Sequence, residues 1–219
     1  AKQGFYLRKR GKEGSKIYEL NPETMEYEDR KKLRTPAVEA AKQQKGAPRR
    51  LKALVNQPGD QASDFLWNVT KATLLYSAEL LGEIADDITQ IDNAMKWGFG
   101  WQQGPFEMWD AIGVAESVKR MKEEGETVPA WVEEFVDQGN ESFYKEENTN
   151  VYYYDAGEYK QVAFNEKEFN MKRIKKERDV IMKNSGASLI DMGDGVALLE
   201  FTSPNNSIGL DVVQMINRS

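Results

Sequence analysis

The stretch MKWGFGWQQGPFEMWDAIG, Met95–Gly113, decides how this chain folds. It crowds three of the five tryptophans, two phenylalanines and four glycines into one short segment. A large aromatic ring removes roughly 150–250 Å² from water when buried. At ~25 cal/mol/Å² that is on the order of 4–6 kcal/mol apiece, an upper bound. Trp97, Phe99, Trp101, Phe106 and Trp109 are therefore expected to be covered, either by the chain's own core or by a partner domain or ligand. The glycines narrow the geometry. Gly98 and Gly100 are expected to supply positive φ or close backbone approach after a helix, and Gly104 before Pro105 sets a tight start to the next one. The stretch reads as a glycine-hinged helical corner wedged against another surface.

Helical signals continue on both sides of this corner. Upstream, Thr35 and Pro36 form an N-cap and first helical residue for a helix through Gln44, and a second helix follows Gly46 and ends near Asn56. From Gln61 to Ile84 the apolar Phe65, Leu66, Val69, Tyr76, Leu80 and Ile84 recur at helical spacing and predict a long buried helix. Asp87 with Gln90 resembles a capping box for a helix carrying Ile88, Ile91 and Met95. Downstream, Val114, Val118 and Met121 line a helix that stops at Gly125, and Pro129 opens another that stops at Gly139. Residues 35–138 thus form a helical domain. Residues 1–34 read as a charged lead-in segment of short extended pieces turning at Asn21–Pro22. Residues 139–186 read as a linker with a hairpin at Asp155–Gly157 and a short basic helix over Lys172–Lys176. Residues 187–219 read as two apolar strands around MGDG, then a loop and the start of a helix.

Composition limits the chemistry. A formal charge of −6 with a pI near 5.0 disfavours nucleic acid and anionic membranes. The absence of cysteine removes disulfides and thiolate chemistry and agrees with a cytoplasmic setting. The absence of histidine removes triads, imidazole ligation and a histidine base. The Gly98, Gly100, Gly104 spacing is one residue too long for the dinucleotide fingerprint and follows a helix instead of a strand. The carboxylates Glu79, Glu83, Asp86 and Asp87 read as a solvated helix end, and the short basic runs, Arg8–Arg10 among them, as surface. Any chemistry would have to run on carboxylates, lysine, tyrosine or backbone amides, which favours a non-catalytic module or an incomplete enzyme, and none of these glycine or carboxylate patterns reads as a cofactor or metal site.

The quoted stretch resembles the C-terminal helical domain of 3-hydroxyacyl-CoA dehydrogenases, in which a helix ending in FG is followed by GPFEL.D..G. Gly98, Phe99, Gly100, Gly104, Pro105, Phe106, Glu107, Asp110 and Gly113 match, and Met108 replaces a leucine. Gln3–Tyr6, QGFY, resembles the GFY element that leads into this helical repeat. DGVALLEFTSPNNSIGLDVVQMI, Asp194–Ile216, is similar to the opening strand, loop and helix of the crotonase (enoyl-CoA hydratase) fold. The order resembles bacterial multifunctional enzymes of fatty-acid β-oxidation.

The resemblance implies a mainly α fold of the 6-phosphogluconate dehydrogenase C-terminal type, followed by a small β-hairpin/α piece of crotonase type. It implies a fragment of an NAD-dependent enzyme whose Rossmann domain, NAD site and His-Glu pair lie elsewhere, inactive by itself. The implied partners are that Rossmann domain and the acyl-CoA substrate, with a homodimer as a further expectation. Phe99, Trp101, Gly104, Pro105, Phe106, Glu107, Trp109 and Asp110 are the candidates for the substrate cleft or interface. Glu107 and Asp110 suit helix N-terminal or corner hydrogen bonds better than acid-base work. Strand residues Val196–Phe201 are expected to find a neighbour within the chain or across a dimer. The competing reading is a non-catalytic helical module that binds a protein partner through the same patch.

Overall fold

The computed structural model describes residues 4–11, 14–163 and 169–219, and of Lys172 the backbone alone. Gln3, Phe164 and the Lys172 side chain, which the sequence reading touches, lie outside the described parts. The chain divides into two compact units, residues 1–142 and 143–219.

The first unit opens with an antiparallel sheet in the order β1 (Tyr6–Gly11), β2 (Gly14–Leu20), β3 (Tyr27–Asp29). The turn between β2 and β3 forms because the Asn21 side-chain oxygen accepts from the Glu23 and Thr24 amides, at 2.9 and 3.3 Å. No described residue from 4 to 34 is buried.

Seven helices follow: α1 (Pro36–Lys42), α2 (Ala47–Val55), α3 (Gln61–Glu79), α4 (Ile88–Phe99), α5 (Pro105–Ile112), α6 (Val114–Glu123) and α7 (Ala130–Asp137). The expected signals start and stop them. Thr35 Oγ1 accepts from the Val38 amide, and Asp87 Oδ1 accepts from the Thr89 and Gln90 amides at 2.8 and 3.1 Å. Gly125 and Gly139 take positive φ just beyond α6 and α7. One cap does double duty. Asp60 Oδ1 accepts from Ala62 and Ser63 at the start of α3, while its Oδ2 accepts from Ala37 in the first turn of α1 at 2.9 Å. These bonds, the Ala37 amide foremost, hold the Asp60 carboxyl below its ordinary value.

α5 is the hub, packing against α2, α3, α4 and α6. The buried residues of the seven helices include Val55, Trp67, Leu74, Ile88, Val118, Met121, Val132 and Phe135. The face that α3 buries corrects the sequence expectation. Phe65 (65% exposed), Val69 and Tyr76 point outward, and Ile84 beyond the helix is also exposed, whereas Ser63, Trp67, Thr70, Leu74, Leu75, Ser77 and Ala78 point in. Small Ser, Thr and Ala side chains let neighbouring helices come close. A reading that scores only large apolar residues picks the opposite stripe.

A charge network clasps the other end of this helix stack. Glu124 accepts from Trp67 Nε1 at 2.8 and 2.9 Å, Lys71 Nζ at 2.8 Å and Arg120 Nε at 2.9 Å. Arg120 also donates to the Val55 carbonyl at 2.9 Å and lies 4.1 Å over the Trp67 ring. Lys71 reaches Glu126 at 2.7 Å. Burial alone would raise the Glu124 pKa, but the bonds from Lys71, Trp67 and Arg120 outweigh it and the net shift is downward. For Lys71, burial pulls down and the two glutamates push up, with a net rise.

The second unit contains two further antiparallel sheets, β4 (Tyr144–Glu147), β5 (Asn150–Asp155), β6 (Glu158–Gln161), and β7 (Val180–Lys183), β8 (Ala187–Gly193), β9 (Val196–Phe201), with helices α8 (Met171–Glu177) and α9 (Leu210–Ile216). Asp155–Gly157 makes the β5–β6 hairpin with positive φ at Ala156 and Gly157, and Asp194–Gly195 makes the β8–β9 hairpin in the same way. The stretch 139–186, read from sequence as a linker with one hairpin and a short basic helix over Lys172–Lys176, holds that helix as α8 but also a full three-stranded sheet and strand β7. Asn148, at φ 57°, makes the β4–β5 turn that the reading lacked. α9 packs on β8, so that Ala187, Leu189 and Met215 form a small core with Met182, Leu199 and Phe201 against it. β9 finds its neighbour, β8, within the chain. The mainly α description fits residues 35–138; sheets precede and follow it.

Asp60 and Glu124 both titrate below their ordinary values of 3.8 and 4.5 when folded. The stability they add is complete above those unfolded values and is lost as pH falls through the lower folded ones. The thermal midpoint should therefore drop between about pH 5 and about pH 3, and drop less in Glu124→Gln. Equal acid sensitivity of the two proteins would refute this role for Glu124.

Candidate functional site

The corner read from Met95–Gly113 is the α4–α5 elbow. α4 ends on Gly100, at φ 68°, whose amide donates to the Met95 carbonyl. Gly98 differs from expectation: its φ is not positive, and apart from its chain neighbours and the backbone of its own helix no atom lies within 4 Å of where a Cβ would stand.

Gly104 is required by its surroundings. A Cβ there would fall on the Asp92 side chain and Cα. Asp92 is fully buried on α4, and its carboxylate reaches across to the start of α5. Oδ1 accepts from the Phe106 amide at 2.8 Å and Oδ2 from the Glu107 amide at 3.1 Å. Those amides are among the donors that a helix N-terminus leaves without intrahelical partners, and the α5 dipole favours a negative charge there. Glu107 closes the corner: Oε2 accepts from the Gly104 amide at 2.9 Å, and Oε1 meets Lys96 Nζ at 2.5 Å. The Pro105-Phe106-Glu107 sequence is thus locked by one residue from each helix face. Asp92 and Lys96 were missed in the sequence reading because a carboxylate or ammonium within an amphipathic helix normally marks a solvent face.

The five rings divide. Phe106 and Trp109 are 0% exposed. Their ring centroids lie 6.4 Å apart, and Phe106 also meets the Trp131 ring at 6.0 Å. The indole donors are satisfied, Trp109 by Ser117 Oγ at 2.7 Å and Trp131 by the Ala78 carbonyl at 3.0 Å. Trp97, Phe99 and Trp101 are instead 81%, 74% and 37% exposed. This corrects the expectation that Phe106 and Trp109 anchor a contact with another surface: both are interior, as are Gly104 and Pro105. Glu107 and Asp110 are half-buried. Of the eight candidates, Phe99 and Trp101 remain available at the surface, joined by Trp97.

A pyrophosphate cradle does not fit here. Gly98 and Gly100 sit at the C-terminal end of α4, where carbonyls and the negative end of the dipole face outward. Among the described residues no group of three or more Asp or Glu side chains is placed to hold a metal ion. Likewise, no described helix is long and apolar enough to cross a membrane.

The elbow lies inside the stretch that matches a known family. Residues 68–165 match the family model of the 3-hydroxyacyl-CoA dehydrogenase C-terminal domain. Over 218 residues the chain is 56% identical to the "Probable 3-hydroxyacyl-CoA dehydrogenase" of Bacillus subtilis (strain 168), an alignment covering 100% of this chain and 27% of that protein. The chain therefore spans about a quarter of the length of the curated relative it matches. No solved structure matches it.

Substitutions should separate the inner rings from the outer ones. Phe106→Ala is expected to cost about 3–5 kcal/mol of stability, and Phe99→Ala to stay within about 0.5 kcal/mol. Asp92→Asn keeps the size but puts an amide donor against the α5 amides, at about 1–3 kcal/mol. Denaturant unfolding measures all three. A Phe99→Ala loss equal to that of Phe106→Ala would contradict the assignment of Phe99 to the surface.

Proposed function

We propose that the chain acts as part of a 3-hydroxyacyl-CoA dehydrogenase of fatty-acid β-oxidation in the cytoplasm. In this reading residues 35–138 wall the acyl-CoA cleft and bury aromatic surface against another part of the enzyme. The observation that carries it is the α4–α5 elbow. A rigid inner node, Asp92–Gly104–Glu107–Lys96, presents three outward rings, Trp97, Phe99 and Trp101, on a segment inside the matched dehydrogenase region. Isolated exposed apolar residues are ordinary, but three large rings within five positions are the composition of a contact core.

The reading assigns NAD and the reacting groups to a Rossmann domain outside these residues. The histidine that the resemblance makes the general base is not in the chain, which has none. Gly98 and Gly100 stand at the C-terminal end of α4, away from any helix N-terminus. Residues 187–219, with the β8–β9 hairpin and α9, serve in this reading as the opening of a crotonase-like domain. A homodimer through the elbow is the alternative to a contact with the Rossmann domain.

The test is reduction of acetoacetyl-CoA by NADH, followed at the nicotinamide absorbance. The chain alone should give no turnover. Mixed with a recombinant Rossmann domain from its own longer polypeptide, it should form a complex and restore activity. Trp97→Ser with Phe99→Ser should weaken that complex by at least about tenfold, as loss of contact-core rings does. Turnover by the chain alone would overturn the reading. A complex with some other protein through the same rings, and none with the Rossmann domain, would favour a helical interaction module instead.

A further inference from the structure

We draw no further inference here: the strongest candidate, the cavity of about 540 Å³ between the β4–β5 turn, the end of β6 and the start of α8, carries none, because Arg173, the one charged residue in its described lining, is already held by Glu177 and the walls adjoin residues 164–168, outside the described parts.

Discussion

A single buried carboxylate organises the helical unit. Asp92 lies fully inside, where an isolated charge would be costly, and it is tolerable because two α5 amides and the positive end of that helix meet it. The bond works in both directions. α5 gains a cap that its own N-cap residue, a glycine, has no side chain to provide, and α4 gains a fixed crossing with α5. The approach needed for this contact leaves no room for a Cβ at position 104. With the start of α5 fixed, Phe106 and Trp109 project into the interior, and α5 can act as the hub for four other helices. Lys96 and Glu107 then seal the outer edge of the same corner.

The pattern recurs elsewhere in the unit. Asp60 ties the first turns of α1 and α3, and Glu124 gathers Trp67, Lys71 and Arg120 while Arg120 reaches α2. Each carboxylate joins elements distant in sequence through backbone amides, an indole or cations. A chain without cysteine and with an excess of acid thus uses part of that acid as cross-links. None of these contacts is a bare surface pair of the kind that contributes little; each is at least partly sheltered and accepts several donors.

What the sequence made legible was local. Thr35, Asp87, Gly100, Gly104, Gly125 and Gly139 act within a few residues of the helix ends they mark, so their chemistry can be read without knowing what packs where. The α3 face could not be read that way. Phe65, Val69 and Tyr76 form one helical stripe and Trp67, Thr70 and Leu74 form another; the neighbours α1, α2 and α5 decide which goes inside. Asp92 is invisible for the same reason, because its partners are fourteen and fifteen positions away. At the candidate site the elbow itself was legible, and the division of its rings was not. Phe99 and Phe106 have similar sequence surroundings, and the difference between 74% and 0% exposure arises from the side of the Asp92 node on which each falls.

Gly98 sharpens the argument for a contact at the outer rings. It lies within α4, takes no special φ and has open space where a Cβ would stand. Glycine costs up to about 1 kcal/mol relative to alanine in a helix interior and less in the last turn, where Gly98 lies, and no contact at Gly98 among the described residues offsets it. Its flanking residues, Trp97 and Phe99, are the two most exposed rings of the elbow. Bare backbone between two outward rings is a surface that another apolar face can approach closely, which neither a core role nor a turn role explains. In the proposed reading, what the elbow meets outside the chain accounts for the local cost at Gly98.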